Sequence, residues 1–187
     1  MFKKVVRKRY WPMYKYLLSD FHGTIVNANS AWITAYKLLG AKNMEDVIRR
    51  VYQKEHRKKI ANDYNLIYDD VVNLYRQNLN IRPEVIRLIQ SLPGSERIII
   101  VSNAHKDRLY KDIKQVENKH NLNICDVFAK EDGSKKDQSL YPTIINKYHI
   151  QAAYMVGNDI REDFCTNPII TNIFIPYKKT LLYNDKL

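Results

Sequence analysis

Tyr16-Leu-Leu-Ser-Asp-Phe-His-Gly-Thr-Ile-Val26 starts as an apolar run and breaks abruptly at Asp20, with a Gly-Thr pair close behind. Tyr, Leu and Leu in succession suit a strand covered on both faces, so the stretch reads as a buried strand delivering one carboxylate to a tight turn. Gly23 lets the backbone turn sharply or approach a ligand, and Thr24 offers a hydroxyl to it. A carboxylate at the carboxyl end of a central parallel strand stands where open α/β sheets bind their ligands. An aspartate before a turn is also a common turn-former, so the downstream chain must supply the second signal.

It does so twice. Arg97-Ile-Ile-Ile-Val-Ser-Asn103 is a β-branched run ending in small polar residues, and Ala153-Tyr-Met-Val156 runs into Gly157-Asn158-Asp159, with Glu162 and Asp163 following. Helical patterns separate these strands: Pro83 opens one through Gln90, a long amphipathic one runs from about Lys106 to Lys119, and Leu140 to Tyr148 forms another with Pro142 in its first turn. Shorter strands are predicted at 124–128 and 172–175, and a polar loop from Lys130 to Asp137 holds Gly133, Lys135 and Lys136. Strands alternating with helices predict an α/β fold with a doubly wound, mainly parallel sheet.

Between Val26 and the first of these elements, residues 27–80 show only helical patterns. Trp32, Ile33, Tyr36 and Leu39 recur at helical spacing before Gly40. Asn43 caps a second stretch with Glu45 and Asp46 in its first turn, and a third helix is predicted over 63–77 with Leu66, Ile67, Asp70, Val71, Leu74 and Tyr75 on one broad face. The expected organisation is a basic tail (1–15), an α/β core (16–26 and 81–187) and an inserted helical cap (27–80).

The 187 residues carry a formal net charge of +11, unevenly distributed. Residues 1–16 hold six basic side chains and no acid, and residues 42–59 hold seven against three acids, so these two patches supply ten of the eleven excess charges. Such patches attract polyanions such as nucleic acid, or steer small phosphorylated substrates, and a plain solvated lysine-rich surface is the alternative. Tyr10 and Trp11 in the tail are candidate stacking groups for a nucleic acid, or part of a frayed terminus or edge strand. Two cysteines make neither a disulfide framework nor a metal cluster, and no apolar run reaches membrane-spanning length, so a cytoplasmic protein is expected.

Strand-Asp-x-x-Gly-Thr, strand-Ser-Asn, a loop lysine and strand-Gly-Asn-Asp-x-x-x-Asp occur in one order from Tyr16 onward. This arrangement resembles the haloacid dehalogenase-like (HAD) hydrolase superfamily, a group dominated by Mg²⁺-dependent phosphatases with a Rossmann-like core, in many of which a helical cap follows the first motif. The resemblance implies a small phosphorylated substrate and Asp20 as the nucleophile that forms an aspartyl-phosphate. It makes Ser102 the hydroxyl that binds a phosphoryl oxygen and Lys135, with Lys136 as runner-up, the motif lysine. Gly23, Thr24 and Asn103 complete the substrate cradle. Mg²⁺ would be held by Asp20, the backbone carbonyl of His22, and Asp159 with Asp163, Asn158 competing with Asp159 for the ligand position. The charge logic agrees, because a carboxylate repels a phosphate dianion unless a cation lies between them.

One position departs from the family pattern. His22 stands where the phosphatases usually have a second aspartate that protonates the leaving oxygen and then activates water. Histidine can do this work near neutral pH, or it can mark a slowed phosphoenzyme or a relative that only binds. The alternative to an enzyme is therefore a catalytically weak protein that binds nucleic acid or another polyanion through tail and cap. A dehalogenase ranks third, because that branch relies on a tyrosine-type motif and needs no metal.

Overall fold

A computed structural model describes residues 14–117, 120 and 122–176. The basic tail, with Tyr10 and Trp11, falls outside the described residues except for its last two. Five strands form one sheet: β1 (Leu17–Ser19), β2 (Ile98–Val101), β3 (Ile124–Phe128), β4 (Ala153–Gly157) and β5 (Ile170–Phe174). Their order is β3-β2-β1-β4-β5 and every pairing is parallel. The short β1 therefore lies at the centre, with Leu17 beside Ile98 and Tyr154, and Asp20 emerges between the ends of its two neighbours.

Side-chain alternation sorts the strand residues onto two cores. Leu17, Ile98 and Ile100 join one buried cluster and Leu18, Ile99 and Val101 the other. Helices α5 (Pro83–Ser91) and α6 (Lys106–Glu117) cover the first face through Val85, Ile89, Leu109 and Ile113, while α7 (Leu140–Tyr148) covers the second through Leu140, Tyr141 and Ile144. Pro142 is the third residue of α7, where its missing N–H has no helical partner to lose.

Residues 27–80 are helical as expected, but form four helices rather than three: α1 (Ala28–Leu38), α2 (Met44–Tyr52), α3 (Arg57–Asp63) and α4 (Tyr68–Gln77). The side chains of Asn27 and Asn43 cap α1 and α2 by accepting from Ser30 N and Asp46 N at 3.1 Å each. The single helix expected over 63–77 does not form as such. Asp63 ends α3, Asn65 turns with φ +52°, and Ile67 sits just outside α4 with 69% of its surface exposed. The side chain of Ile67 continues the apolar spacing of the sequence, yet it faces solvent.

The chain enters and leaves this helical segment as a short two-stranded ribbon. Asn27 N donates to Asn80 O at 3.0 Å and Arg82 N to Ile25 O at 2.8 Å. The same core cluster that contains Leu17 and Ile100 also contains Trp32, Tyr36, Val47, Ile60 and Tyr75, so helices α1 to α4 and one face of the sheet share a continuous apolar interior. Among the described residues no helix is long and apolar enough to cross a membrane, and Cys125 and Cys165 are both free.

Candidate active site

Asp20 follows β1 directly and its N–H donates to Val156 O of β4 at 2.9 Å, which fixes the carboxylate at the sheet's carboxyl edge. The turn beyond it closes through Gly23, which has a φ of +92°. Any Cβ at that position would also lie 2.9 Å from the Asn158 amide nitrogen, so conformation and space both require glycine. Arg82, buried beside the ribbon, donates to Gly23 O at 2.7 Å and buttresses the turn from below. Thr24, fully buried, donates its hydroxyl to Asp20 Oδ2 at 2.9 Å and lies 3.0 Å from the side-chain oxygen of Asn158.

Lys135, only 2% exposed, places Nζ 2.8 Å from Asp20 Oδ1 and 2.5 Å from Asp163 Oδ1. Of the two candidate lysines it is Lys135 that reaches the site, while Lys136 is exposed. The loop is held there by Asn103, whose side-chain oxygen accepts from Lys135 N at 3.3 Å. Asp163 Oδ2 accepts from Asn158 N at 2.8 Å and Asp159 N at 2.9 Å. A side chain at Gly157 would meet Asp163 Cβ at 2.3 Å, so only glycine lets the strand end pass so close.

Two buried carboxylates thus share one ammonium. Burial opposes the charge of Lys135, but Asp20 and Asp163 outweigh it and raise its pKa. Burial raises the pKa of Asp163, the like charge of Asp20 adds to this, and Lys135 offsets only part. The cluster keeps a surplus of negative charge.

His22 Nε2 lies 2.9 Å from Oδ2 of Asp112, a fully buried carboxylate on α6. Tyr75 OH donates to the same oxygen at 3.1 Å and Arg76 Nε to Oδ1 at 3.3 Å, both from α4, and Arg108 Nε stands 3.6 Å away. Burial works against the Asp112 charge, yet these donors lower its pKa below the ordinary aspartate value. An ionised carboxylate only accepts, so Nε2 carries its proton and Nδ1 is the ring nitrogen left without a protein partner among the described residues. Sequence reading misses Asp112. The available signal is its register, since Leu109, Asp112, Ile113 and Val116 recur at helical spacing on the buried face of α6.

Asp20, His22, Gly23, Ser102, Asn103, Lys135, Asn158, Asp159 and Asp163 all line one cavity of about 610 Å³, whose opposite wall is built from Trp32, Tyr52, Lys54, Glu55, His56, Arg57 and Tyr68 of the helical segment. The Ser102 hydroxyl, buried at the end of β2, accepts from Ala104 N at 3.2 Å. The Asp159 carboxylate is engaged on the cap side, accepting from Lys54 Nζ at 2.9 Å, and Glu162 accepts from the same ammonium at 3.2 Å. Four of the seven cations of the basic stretch 42–59 are paired: Lys54 as above, Arg49 with Asp46, Arg50 with Glu55 and Asp63, and Lys59 with Glu55.

Solved structures share this architecture. A predicted phosphoglycolate phosphatase from Haemophilus somnus 129PT is 13% identical with a TM-score of 0.56, the match covering 88% of this chain and 86% of that one. The chain has the haloacid dehalogenase-like fold. An L-2-haloacid dehalogenase of the same HAD-like fold is 11% identical, with a TM-score of 0.60 and coverage of 88% and 85%. A HAD-hydrolase from Bacillus subtilis, bound to magnesium, is 16% identical, with a TM-score of 0.55 and coverage of 80% and 82%. No protein-family model and no curated protein matches this chain by sequence.

Proposed function

We propose that the chain is a hydrolase of phosphomonoesters in which Asp20 is the nucleophile and Mg²⁺ the cofactor. The observation that carries this reading is the placement of Asp20. It is a nearly buried carboxylate beside a buried lysine, at the floor of a cavity lined on its far side by helices.

An Asp20 oxygen forms a bond to phosphorus as the bond from phosphorus to the ester oxygen breaks, and the leaving oxygen takes a proton. Water then attacks the aspartyl-phosphate, releasing phosphate and the free carboxylate. Lys135 and the Ser102 hydroxyl face the phosphoryl oxygens, where negative charge spreads in the transition state. His22 enters the first step as the imidazolium, gives the leaving oxygen its Nδ1 proton while Asp112 holds Nε2–H, and as the neutral ring takes a proton from the attacking water. Asp112 is a positioning residue in this scheme.

Among the described residues no three His, Cys, Asp or Glu side chains gather as a metal site. Mg²⁺ is commonly held by one or two carboxylates together with water and substrate phosphate. Asp20 and Asp163, with their surplus negative charge, would hold it, with the His22 carbonyl and the Asn158 amide oxygen as further hard donors. The ion would neutralise the charge between Asp20 and the incoming phosphate. The sequence assignment of Asp159 as a ligand competes with its contact to Lys54, and we favour Asn158 for that position because its oxygen shares Thr24 with Asp20.

The test is phosphate release from a panel of phosphomonoesters by the purified protein, with Mg²⁺ or EDTA, beside Asp20→Asn and with a 2-haloacid as a control substrate. Metal-dependent release that is lost in the variant is expected. Release of halide in place of phosphate, or release unaffected by Asp20→Asn, would overturn the reading.

A further inference from the structure

The cavity lining carries positive charge that the phosphoryl chemistry does not contact. Arg57 and Arg108 both line the cavity, with guanidinium carbons 5.9 Å and 5.3 Å from the centre of the Trp32 ring, which stacks on Tyr75 at 4.1 Å. The other two cations there are already neutralised, Lys135 by Asp20 and Asp163, Lys54 by Asp159 and Glu162. Arg57 is not. It donates to the backbone carbonyls of Glu55 at 2.6 Å and Val51 at 3.0 Å, and among the described residues no carboxylate lies within ion-pair distance of it. Among the described carboxylates Arg108 has only Asp112, at 3.6 Å, and shares it with His22, Tyr75 and Arg76.

Burial pulls the pKa of Arg57 below its ordinary value, and Arg108 beside it pulls the same way. Arginine stays charged regardless, so a partly desolvated guanidinium that lines the cavity with no carboxylate paired to it is stabilised by an anion supplied from outside. Its planar fork matches a carboxylate or a phosphate. A volume of about 610 Å³ also exceeds what a lone phosphoryl group fills and falls in the range of small-molecule sites.

We propose that Arg57 and Arg108 form a second anion subsite, and that the substrate is a phosphomonoester carrying a further anionic group, a carboxylate or a second phosphate. The inference rests on the reading of Asp20 as the place where the phosphoryl group is bound. The aromatic pair Trp32 and Tyr75 holds the guanidinium groups over its rings and so fixes where the second anion lies.

The test is calorimetric binding of three matched ligands to the Asp20→Asn protein: glycerol phosphate, phosphoglycerate and propanediol bisphosphate. At least one doubly anionic ligand should bind about tenfold or more tighter than glycerol phosphate, and which one identifies the second group. Adding Arg57→Met should erase that preference while glycerol phosphate affinity stays within about twofold, and Arg57→Lys should restore part of it. Should Arg57→Met not fold, Arg108→Gln is read in the same way. Equal affinities for all three, no binding of any, or a preference that survives both substitutions would overturn the subsite. Wild-type turnover of the same compounds is scored separately. Hydrolysis without a preference in binding keeps the hydrolase and removes the subsite, and a preference in binding without hydrolysis does the reverse.

Discussion

Lys135 holds two buried carboxylates apart, so its loss should be felt in stability and chemistry together. Lys135→Met leaves Asp20 and Asp163 facing each other without a countercharge. Removing one partner of a buried pair costs about 3–5 kcal/mol, and uptake of a proton by Asp163, whose pKa is already raised, should recover part of that. Thermal unfolding should shift downward and phosphate release should fall by at least about 100-fold. Asp112 gives a prediction with a definite sign. Its folded pKa is lowered, so its contribution to stability is present above the unfolded value and is lost as pH falls through the folded one. Urea unfolding at a series of pH values should therefore show a shallower acid decline for Asp112→Asn than for the wild type. His22→Ala should slow turnover by about 10²–10⁴, the usual worth of general acid–base catalysis, in steady-state assays. Asp20 and Ser102 are legible in sequence because each directly follows a strand, and Asp163 because it stands six residues after the glycine that ends β4. Asp112 lies 90 positions from His22 in a helix full of charged residues, and only the register of α6 sets it apart.

At the scale of elements, the ends of strands and the joints of the helical segment decide the geometry. Gly157→Ala puts a methyl group 2.3 Å from Asp163 Cβ, and the displacement should cost about 1–3 kcal/mol in denaturant unfolding and misplace the carboxylate that Lys135 holds. Lys54 ties α2's end to Asp159 and Glu162 across the cavity, but it is two-thirds exposed, so Lys54→Ala should change stability by no more than about 1 kcal/mol. Its effect belongs in KM, which should rise if this contact helps hold the cap over the substrate. The sequence carries the alternation of strands and helices because β-branched runs and helical periodicity are local signals. It does not carry the break between α3 and α4, because Leu66 and Ile67 extend the apolar spacing while the turn itself is made by Asn65 in a left-handed conformation.

For the whole molecule, the apolar interior is the deciding fact. Trp32, Tyr36 and Tyr75 of the helical segment and sheet residues Leu17 and Ile100 lie in one cluster, so the helical segment has no separate core to melt on its own. Tryptophan fluorescence of a Trp11→Phe variant, which reports Trp32 alone, should trace the same unfolding curve as far-ultraviolet circular dichroism. The net charge of +11 is a weaker guide to function than its distribution, because most cations of the basic stretch 42–59 are paired with nearby acids while Arg57 is turned to the cavity. The most direct test of the whole account is rapid quenching of the protein during turnover of a phosphomonoester with Mg²⁺, followed by mass spectrometry of its peptides. A phosphoryl adduct on Asp20 that forms and decays at the rate of turnover is the predicted result. Turnover with no adduct, or with the adduct on another residue, would contradict it.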